Sequence, residues 1–381
     1  MIELPPLSLY VHIPWCVRKC PYCDFNSHQA REGIPEQDYL KALLRDLDQE
    51  VERLSQTNTL RRLTSIFFGG GTPSLLQPET IGSILQHVAN TIGFEDNIEI
   101  TLEANPGTVD SDKFKGLRQA GINRLSIGIQ SFQPRHLETL GRIHTSTEAS
   151  HAIAVAREAG FDNINLDLMF GLPDQTTEEA LHDIQTAQAL APEHLSWYQL
   201  TIEPNTEFYR HPPRLPEDDD LWNMHQKGIE TLSKAGFEQY EVSAFAKPDR
   251  QAQHNLNYWQ FGDYIAIGAG AHGKATIPEE GRIQRYWKTR LPQHYLNRID
   301  HYRAGEESIA AEDLPFEFLM NALRLKQGVE SELFSRRTGL PQNNIAPTLQ
   351  DLRNKGLLST SRLQCSEQGY LYLNEVLQQF M

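Results

Sequence analysis

The chain has 381 residues, with 35 Lys and Arg against 50 Asp and Glu, for a formal charge of −15. That length accommodates one large α/β domain plus a smaller one, and the acidic balance argues against nonspecific binding to nucleic-acid phosphates or anionic membranes. No apolar run approaches the roughly 20 residues a spanning helix needs, MIELPPLSLY lacks the basic start of a signal peptide, and only four cysteines are present. A cytoplasmic chain without membrane anchor or nucleic-acid partner is therefore expected, in a compartment that keeps thiols reduced.

Leu7, Leu9, Val11 and Ile13 alternate, predicting a strand that leads into IPWCVRKCPYCDF. Cys16, Cys20 and Cys23 there are spaced C-x3-C-x2-C, while Cys365 lies far away. Three thiolates on one short loop suit an iron–sulfur cluster that keeps one iron free of protein ligands. A small molecule could bind that iron and be reduced. A structural zinc usually takes two spaced ligand pairs. His12, Asp24 or His28 could supply a fourth ligand, but no second C-x2-C pair follows. An odd group of three cannot pair internally as disulfides.

A helix is predicted from about Glu36 to Leu54, with Leu40, Leu43, Leu44, Leu47, Val51 and Leu54 on one face. The strand Thr64 to Phe68 then ends in Gly69-Gly70-Gly71-Thr72-Pro73. That run lacks the Lys of a phosphate-binding loop. It is either a plain tight turn or a place where a ligand approaches bare backbone. After a helical face marked by Ile81, Ile84, Leu85, Val88 and Ile92, the strand Ile98 to Glu103 enters the turn Asn105-Pro106-Gly107. Glu103 at a strand end suits ribose hydroxyls, or is a solvated charge.

Next come a helix near Asp112 to Gln119, the strand Arg124 to Gln130, a helix of about Thr147 to Ala159, and the strand Asn163 to Met169. Gln130 and Asp167 are polar positions in apolar strands, and buried polar groups need partners. Arg142 could grip a carboxylate with two hydrogen bonds or form a surface ion pair. Thr176 and Glu179 have capping-box spacing, and the strand His194 to Leu200 follows. Repeated βα units predict a parallel sheet with right-handed crossovers. The polar residues at strand ends need to converge, which favours a partial (β/α)6 barrel over an open doubly wound sheet.

After the Pro-rich acidic stretch at 211–220, HNLNYWQFGDYIAIGAGAHG gathers His254, Tyr258, Trp259, Tyr264 and His272 around a Gly-rich turn. Histidine is a usual axial ligand of haem iron, although the same residues also suit an aromatic core loop. The tail predicts helices at Phe316 to Leu325, Glu330 to Arg337 and Ile345 to Lys355. Short strands at Leu358–Leu363 and Tyr370–Leu373 would complete a winged-helix-like order. Residues 315–381 hold seven Lys and Arg against six Asp and Glu, so the basic footprint of a DNA-binding module is missing.

Taken together, these motifs resemble the radical S-adenosylmethionine (SAM) superfamily. The cysteine loop, GGGTPS, LEANPGT, GIQSF and NLDLMFGLP follow in its order. YVHIPWC, RLSIGIQSF, LGRIHT, HNLNYW and the C-terminal module narrow the resemblance to the oxygen-independent coproporphyrinogen oxidase group. Two branches of that group differ in activity. The radical SAM decarboxylase, coproporphyrinogen III dehydrogenase, has a further cysteine where this chain has Phe25, and a long extension before the cluster. The haem-chaperone branch, HemW-type, has an HNxxYW element similar to HNLNYW. The resemblance therefore implies a haem chaperone that passes haem to acceptor, notably respiratory, haem proteins, with the decarboxylase as the alternative; enzymatic activity stays open.

Carried over by position, the resemblance implies that Cys16, Cys20 and Cys23 hold a 4Fe–4S cluster whose unique iron is chelated by SAM. Gly70, Gly71 and Thr72 would cradle the methionine end of SAM, and Glu103 its ribose. Tyr10, Gln130, Arg142 and Asp167 match further SAM contacts, and His254 is the haem-linked residue. An electron donor is implied if the cluster cycles. The expected organisation is a radical SAM partial barrel over 1–210, an extension with the haem element over 211–310, and a small winged-helix-like domain over 311–381.

Overall fold

Continuous apolar runs become strands buried on both faces, the environment of a parallel sheet. In the computed structural model, which describes residues 2–108 and 110–381, six such strands pair in chain order. They are β1 (Leu7–Ile13), β2 (Leu63–Gly70), β3 (Phe94–Ala104), β4 (Arg124–Gln130), β5 (Ile164–Phe170) and β6 (His194–Gln199), all parallel. The main crossover helices are α1 (Glu36–Gln56), α2 (Pro78–Thr91), α3 (Ser111–Ala120), α4 (Ser146–Glu158) and α5 (Thr177–Ala189). Their apolar faces share one core with Leu9, Ile66, Leu102, Ile127 and Leu166. Thr145 and Thr176 close capping boxes with Glu148 and Glu179 at the starts of α4 and α5. Each such cap stabilises its helix by about 1 kcal/mol.

The six expected βα units are present, but the sheet is wider, with twelve strands. After α6 (Asp218–Lys234), β7 (Glu238–Glu241) and β8 (Ala244–Ala246) add antiparallel to the β6 edge. A short helix α7 (Gln253–Trp259) then leads to β9 (Asp263–Ile267), which pairs parallel with β1 on the side away from β2. The antiparallel strands β10 (His272–Ile277), β11 (Arg282–Lys288) and β12 (Arg303–Ser308) complete that edge. The Gly-rich segment expected to be a turn thus contains a strand.

A buried charge network fastens this edge to α1. Lys288 on β11 is fully buried and pairs with Asp46 and Glu50 of α1. Arg303 on β12 donates its Nε to Glu50 Oε1 at 2.9 Å. Asp46 Oδ2 also accepts from Tyr295 Oη at 2.7 Å and from the Gly268 amide at 3.1 Å.

The C-terminal helices α8 (Leu314–Ala322), α9 (Glu332–Thr338) and α10 (Ala346–Asn354) build a second core around Phe318, Phe334 and Leu352, joined by Ile2 and Phe261. The two expected strands there are corrected. Leu358 and Leu363 make only isolated bridges, to Cys365 and Val329. Tyr370 lies in a helix, Glu367–Leu371, because the Ser366 hydroxyl accepts from the Gly369 amide at 3.0 Å and caps it. Among the described residues no helix is long and apolar enough to cross a membrane.

Candidate functional site

The cysteine loop leaves β1 and is tied at its base. Trp15–Cys16 pairs in parallel with His28–Gln29. The Cys23 amide donates to the Cys20 carbonyl at 3.2 Å. Cys23 Sγ lies 3.6 Å from Ser27 Oγ, and Arg142 Nη1 lies 3.9 Å from Cys20 Sγ. All three thiols are free. Burial pushes the Cys16 thiol up to about 11 and raises Cys23 as well. Bare, the Cys16 and Cys23 thiols are neutral at pH 7; a bound metal centre holds its thiols deprotonated. Among the described residues no three His, Cys, Asp or Glu side chains close on one point, as a single zinc ion requires. Three free thiols facing one cavity suit a larger iron–sulfur group.

That cavity measures about 630 Å³. Cys16, Cys20 and Cys23 meet Gly70, Gly71, Thr72, Glu103, Gln130, Arg142 and Asp167 on its walls. One space touched by β2, β3, β4, β5 and β6 requires the strand ends to curl round it, as in a partial barrel. The glycines are needed where they stand. Gly70 has φ +114°, and a Cβ on it would sit 2.5 Å from the His12 ring. A Cβ on Gly71 would sit 2.5 Å from the Trp15 carbonyl oxygen. The bare backbone so formed can approach a ligand closely.

Gln130 has φ +73° at a register shift between β4 and β5. A non-glycine residue held in that region stores local strain of order 1 kcal/mol. Its Oε1 accepts from Tyr198 Oη at 2.8 Å. Arg142 donates Nη2 to the Gly128 carbonyl, and its Nε is buried without a hydrogen-bond partner among the described residues. An unsatisfied guanidinium N–H beside a cavity suits an anionic ligand group. Asp167 is held by Ser126 Oγ at 3.0 Å and Asn165 Nδ2 at 2.8 Å.

Glu103 accepts the Gly70 amide at 3.1 Å. Burial first, and then the Asp167 carboxylate, push it up to about 8 from 4.5, with the Gly70 N–H opposing. The stability consequence has a definite sign. Below pH 4.5 the group is protonated folded or unfolded; above it the unfolded chain ionises first, so its contribution to stability falls until about pH 8. Glu103→Gln is therefore expected to unfold at a higher urea concentration than the parent, by a margin that widens between those pH values. A margin independent of pH would contradict the buried, protonated carboxyl.

A second cavity, about 800 Å³, abuts the first. Its aromatic walls include Tyr10, Phe67, Tyr258, Trp259, Tyr264 and Trp287. Asp24, Phe25, Gly70, Glu103 and Trp259 line both cavities. Tyr10, expected among the SAM contacts, faces this second space. Its hydroxyl lies 2.8 Å from His12 Nδ1, while His12 Nε2 lies 3.0 Å from the Asn26 carbonyl. Since a carbonyl only accepts, Nε2 carries the proton and Nδ1 accepts from Tyr10.

The structure does not bring His254 to the walls of either cavity. It is 5 % exposed. Its ring stacks on Phe67 at 4.3 Å, and its Nδ1 donates to Glu99 Oε1 at 3.0 Å. Glu99 also accepts the Gln253 and His254 amides at 2.9 and 3.3 Å, so it caps the first turn of α7. His254 thus fixes the helix that presents Tyr258 and Trp259. Sequence reasoning missed Tyr198, Ser126 and Ser196 on the first cavity, although each is a polar position at a strand that the expected sheet contained. It also missed Phe67, Trp287 and Arg290 on the second, where no motif marked them.

The radical SAM superfamily model matches residues 10–187, and the HemN C-terminal domain model matches residues 309–372. The chain is 51% identical over 383 residues to "Heme chaperone HemW" of Haemophilus influenzae, covering 100% of this chain and 99% of that relative. It is 49% identical to "Heme chaperone HemW" of Escherichia coli, with 100% of both covered. Among solved structures it resembles coproporphyrinogen III oxidase (HemN) from Escherichia coli, described as a radical SAM enzyme. The TM-score is 0.82 at 22% identity, over 99% of this chain and 90% of that one. At that identity the likeness shows the shared fold.

Proposed function

Since this chain belongs to the HemW family within the radical SAM superfamily, we propose that it is a haem chaperone that binds haem and hands it to acceptor haem proteins, respiratory ones among them. The observation that carries this reading is the pair of abutting cavities. One gathers three free thiols with bare glycine backbone and an unsatisfied arginine. The other is aromatic and of a size within the roughly 300–1,000 Å³ of small-molecule and cofactor sites.

In the first cavity Cys16, Cys20 and Cys23 hold a 4Fe–4S cluster. Gly70, Gly71 and Thr72 take the methionine end of SAM against backbone. Glu103 accepts from ribose hydroxyls, which favours its carboxylate form, and Arg142 offers N–H groups to a carboxylate. Gln130 and Asp167, fixed by Tyr198 and Ser126, complete the wall. When bound, cluster and SAM supply one-electron chemistry at a carbon–sulfur bond; an electron donor is then needed. The protein acts in the cytoplasm.

The test is one anaerobically reconstituted sample, titrated with haem, mixed with an apo acceptor, and assayed on coproporphyrinogen III. Saturable haem uptake, transfer to the acceptor and no decarboxylation are expected. Decarboxylation without saturable haem binding would replace this reading by the dehydrogenase.

A further inference from the structure

We propose that His194 and Tyr240 are positioning residues for SAM: a buried row of hydrogen bonds runs from Tyr240 through His194 and Asn165 to the Asp167 carboxylate and holds it towards the first cavity. The inference rests on the reading of that cavity as the SAM site. Asp167 lines the cavity, whereas Asn165, His194 and Tyr240 line neither cavity and are buried. Strand register brings them together. Ser126 on β4 stands beside Asn165 on β5, and Asn165 stands beside His194 on β6. Asn165 and Asp167 are two residues apart on one strand, so both point to the same face.

The row has one direction. Asp167 Oδ1 accepts from Asn165 Nδ2 at 2.8 Å, so the amide oxygen of Asn165 faces the other way. That oxygen accepts from His194 Nδ1 at 2.6 Å and from Ser196 Oγ at 3.1 Å. His194 Nδ1 therefore carries the proton, and Nε2 accepts from Tyr240 Oη at 2.9 Å. Tyr240 Oη in turn accepts from Asn255 Nδ2 at 3.1 Å and the Ala252 amide at 3.4 Å. Burial, and then the nearby Arg124 and His254, hold His194 well below the usual imidazole range, so it stays neutral and in this tautomer. Burial raises the Asp167 pKa, and the bond from Asn165 is the largest influence opposing it. Without the His194 N–H the Asn165 amide is free to turn, and its oxygen would then face the carboxylate. Two donors, Asn165 and Ser126, fix Asp167 and leave its remaining lone pairs for SAM.

The test is equilibrium binding of SAM to the full chain, reconstituted anaerobically, with samples matched for iron and sulfide. His194→Leu is expected to weaken binding about tenfold, the scale of one hydrogen bond to a charged group. His194→Asn, whose amide nitrogen stands in for ring Nδ1, should recover most of that loss. Tyr240→Phe, which keeps the packing, should lose several-fold. Asp167→Asn should weaken binding by itself, and in its background His194→Leu and Tyr240→Phe should each change affinity by less than about twofold. A general loosening of the barrel would weaken binding equally in both backgrounds, and that result overturns the proposal, as does parental affinity in Asp167→Asn. Parental affinity in His194→Leu or in Tyr240→Phe removes that residue from the row, and a His194→Asn protein as weak as His194→Leu removes the Nδ1 donor. A parent chain that holds its cluster and binds no SAM overturns the SAM reading of the cavity and this inference with it.

Discussion

Cys20→Ser is expected to leave a folded chain that retains essentially no iron or sulfide after anaerobic reconstitution and lacks the broad visible absorption of an iron–sulfur centre. The argument is one of ligand count and softness. Only three thiols reach the cavity, and Cys365 is buried in the second core. A serine oxygen is a hard donor where the cluster needs a soft one, so two thiolates remain to hold four irons. The loop itself should survive, since the Cys23 amide bonds to the backbone carbonyl of residue 20 rather than to its sulfur. Unchanged far-ultraviolet circular dichroism would show this. Cys365→Ser serves as the control and should load normally. Wild-type iron in Cys20→Ser, or zinc without iron in the parent, would sink the three-thiolate cluster.

Lys288→Met is expected to cost about 3–5 kcal/mol, read as a large drop in the urea midpoint, because it strands buried carboxylates without their cation. Lys288 is fully buried between Asp46 and Glu50. Burial alone would raise Glu50, yet Lys288 and Arg303 together hold it down to about 2. That depressed value contributes stability above pH 4.5, lost as pH falls towards 2. In Lys288→Met the contribution shrinks, so the gap between variant and parent should narrow in acid. The mutation also acts at long range: Asp46 receives the Gly268 amide at the end of β9, so its neutralisation loosens the edge that carries His272 and Arg290. A midpoint change worth less than about 1 kcal/mol, the scale of an exposed pair, would contradict the buried network.

The central strands were legible because burial on both faces writes an apolar run into each. The strand Arg124–Gln130 was bounded correctly for that reason. The first cavity was legible too. A polar side chain closing an apolar strand must find a partner at the sheet's rim, and Gly70, Glu103, Gln130 and Asp167 do share one space there with the cysteines. β9 was not legible. It is five residues long, sits among glycines, and pairs with β1 from the other end of the chain. Long-range parallel pairing leaves no local mark. YLYL at 370–373 alternates like a strand, but the cap at Ser366 decides for helix. Lys288, Asp46 and Glu50 look like solvated charges until the fold buries them together. His254 stood out as a motif residue, whereas the direction of its ring depends on Glu99, which lies in another element.

The partition between the cavities has one more consequence. Asp24, Phe25, Gly70, Glu103 and Trp259 each present a surface to both spaces, and Phe25 is 59 % exposed. On the proposed reading SAM fills the first space and haem the second, so both ligands would meet these five residues, and any coupling between them would run both ways. Whatever factor SAM applies to the affinity for haem, haem must apply to the affinity for SAM. A single titration of each ligand with and without the other therefore measures the same number twice, and loading and unloading of haem acquire a chemical handle in the concentration of SAM.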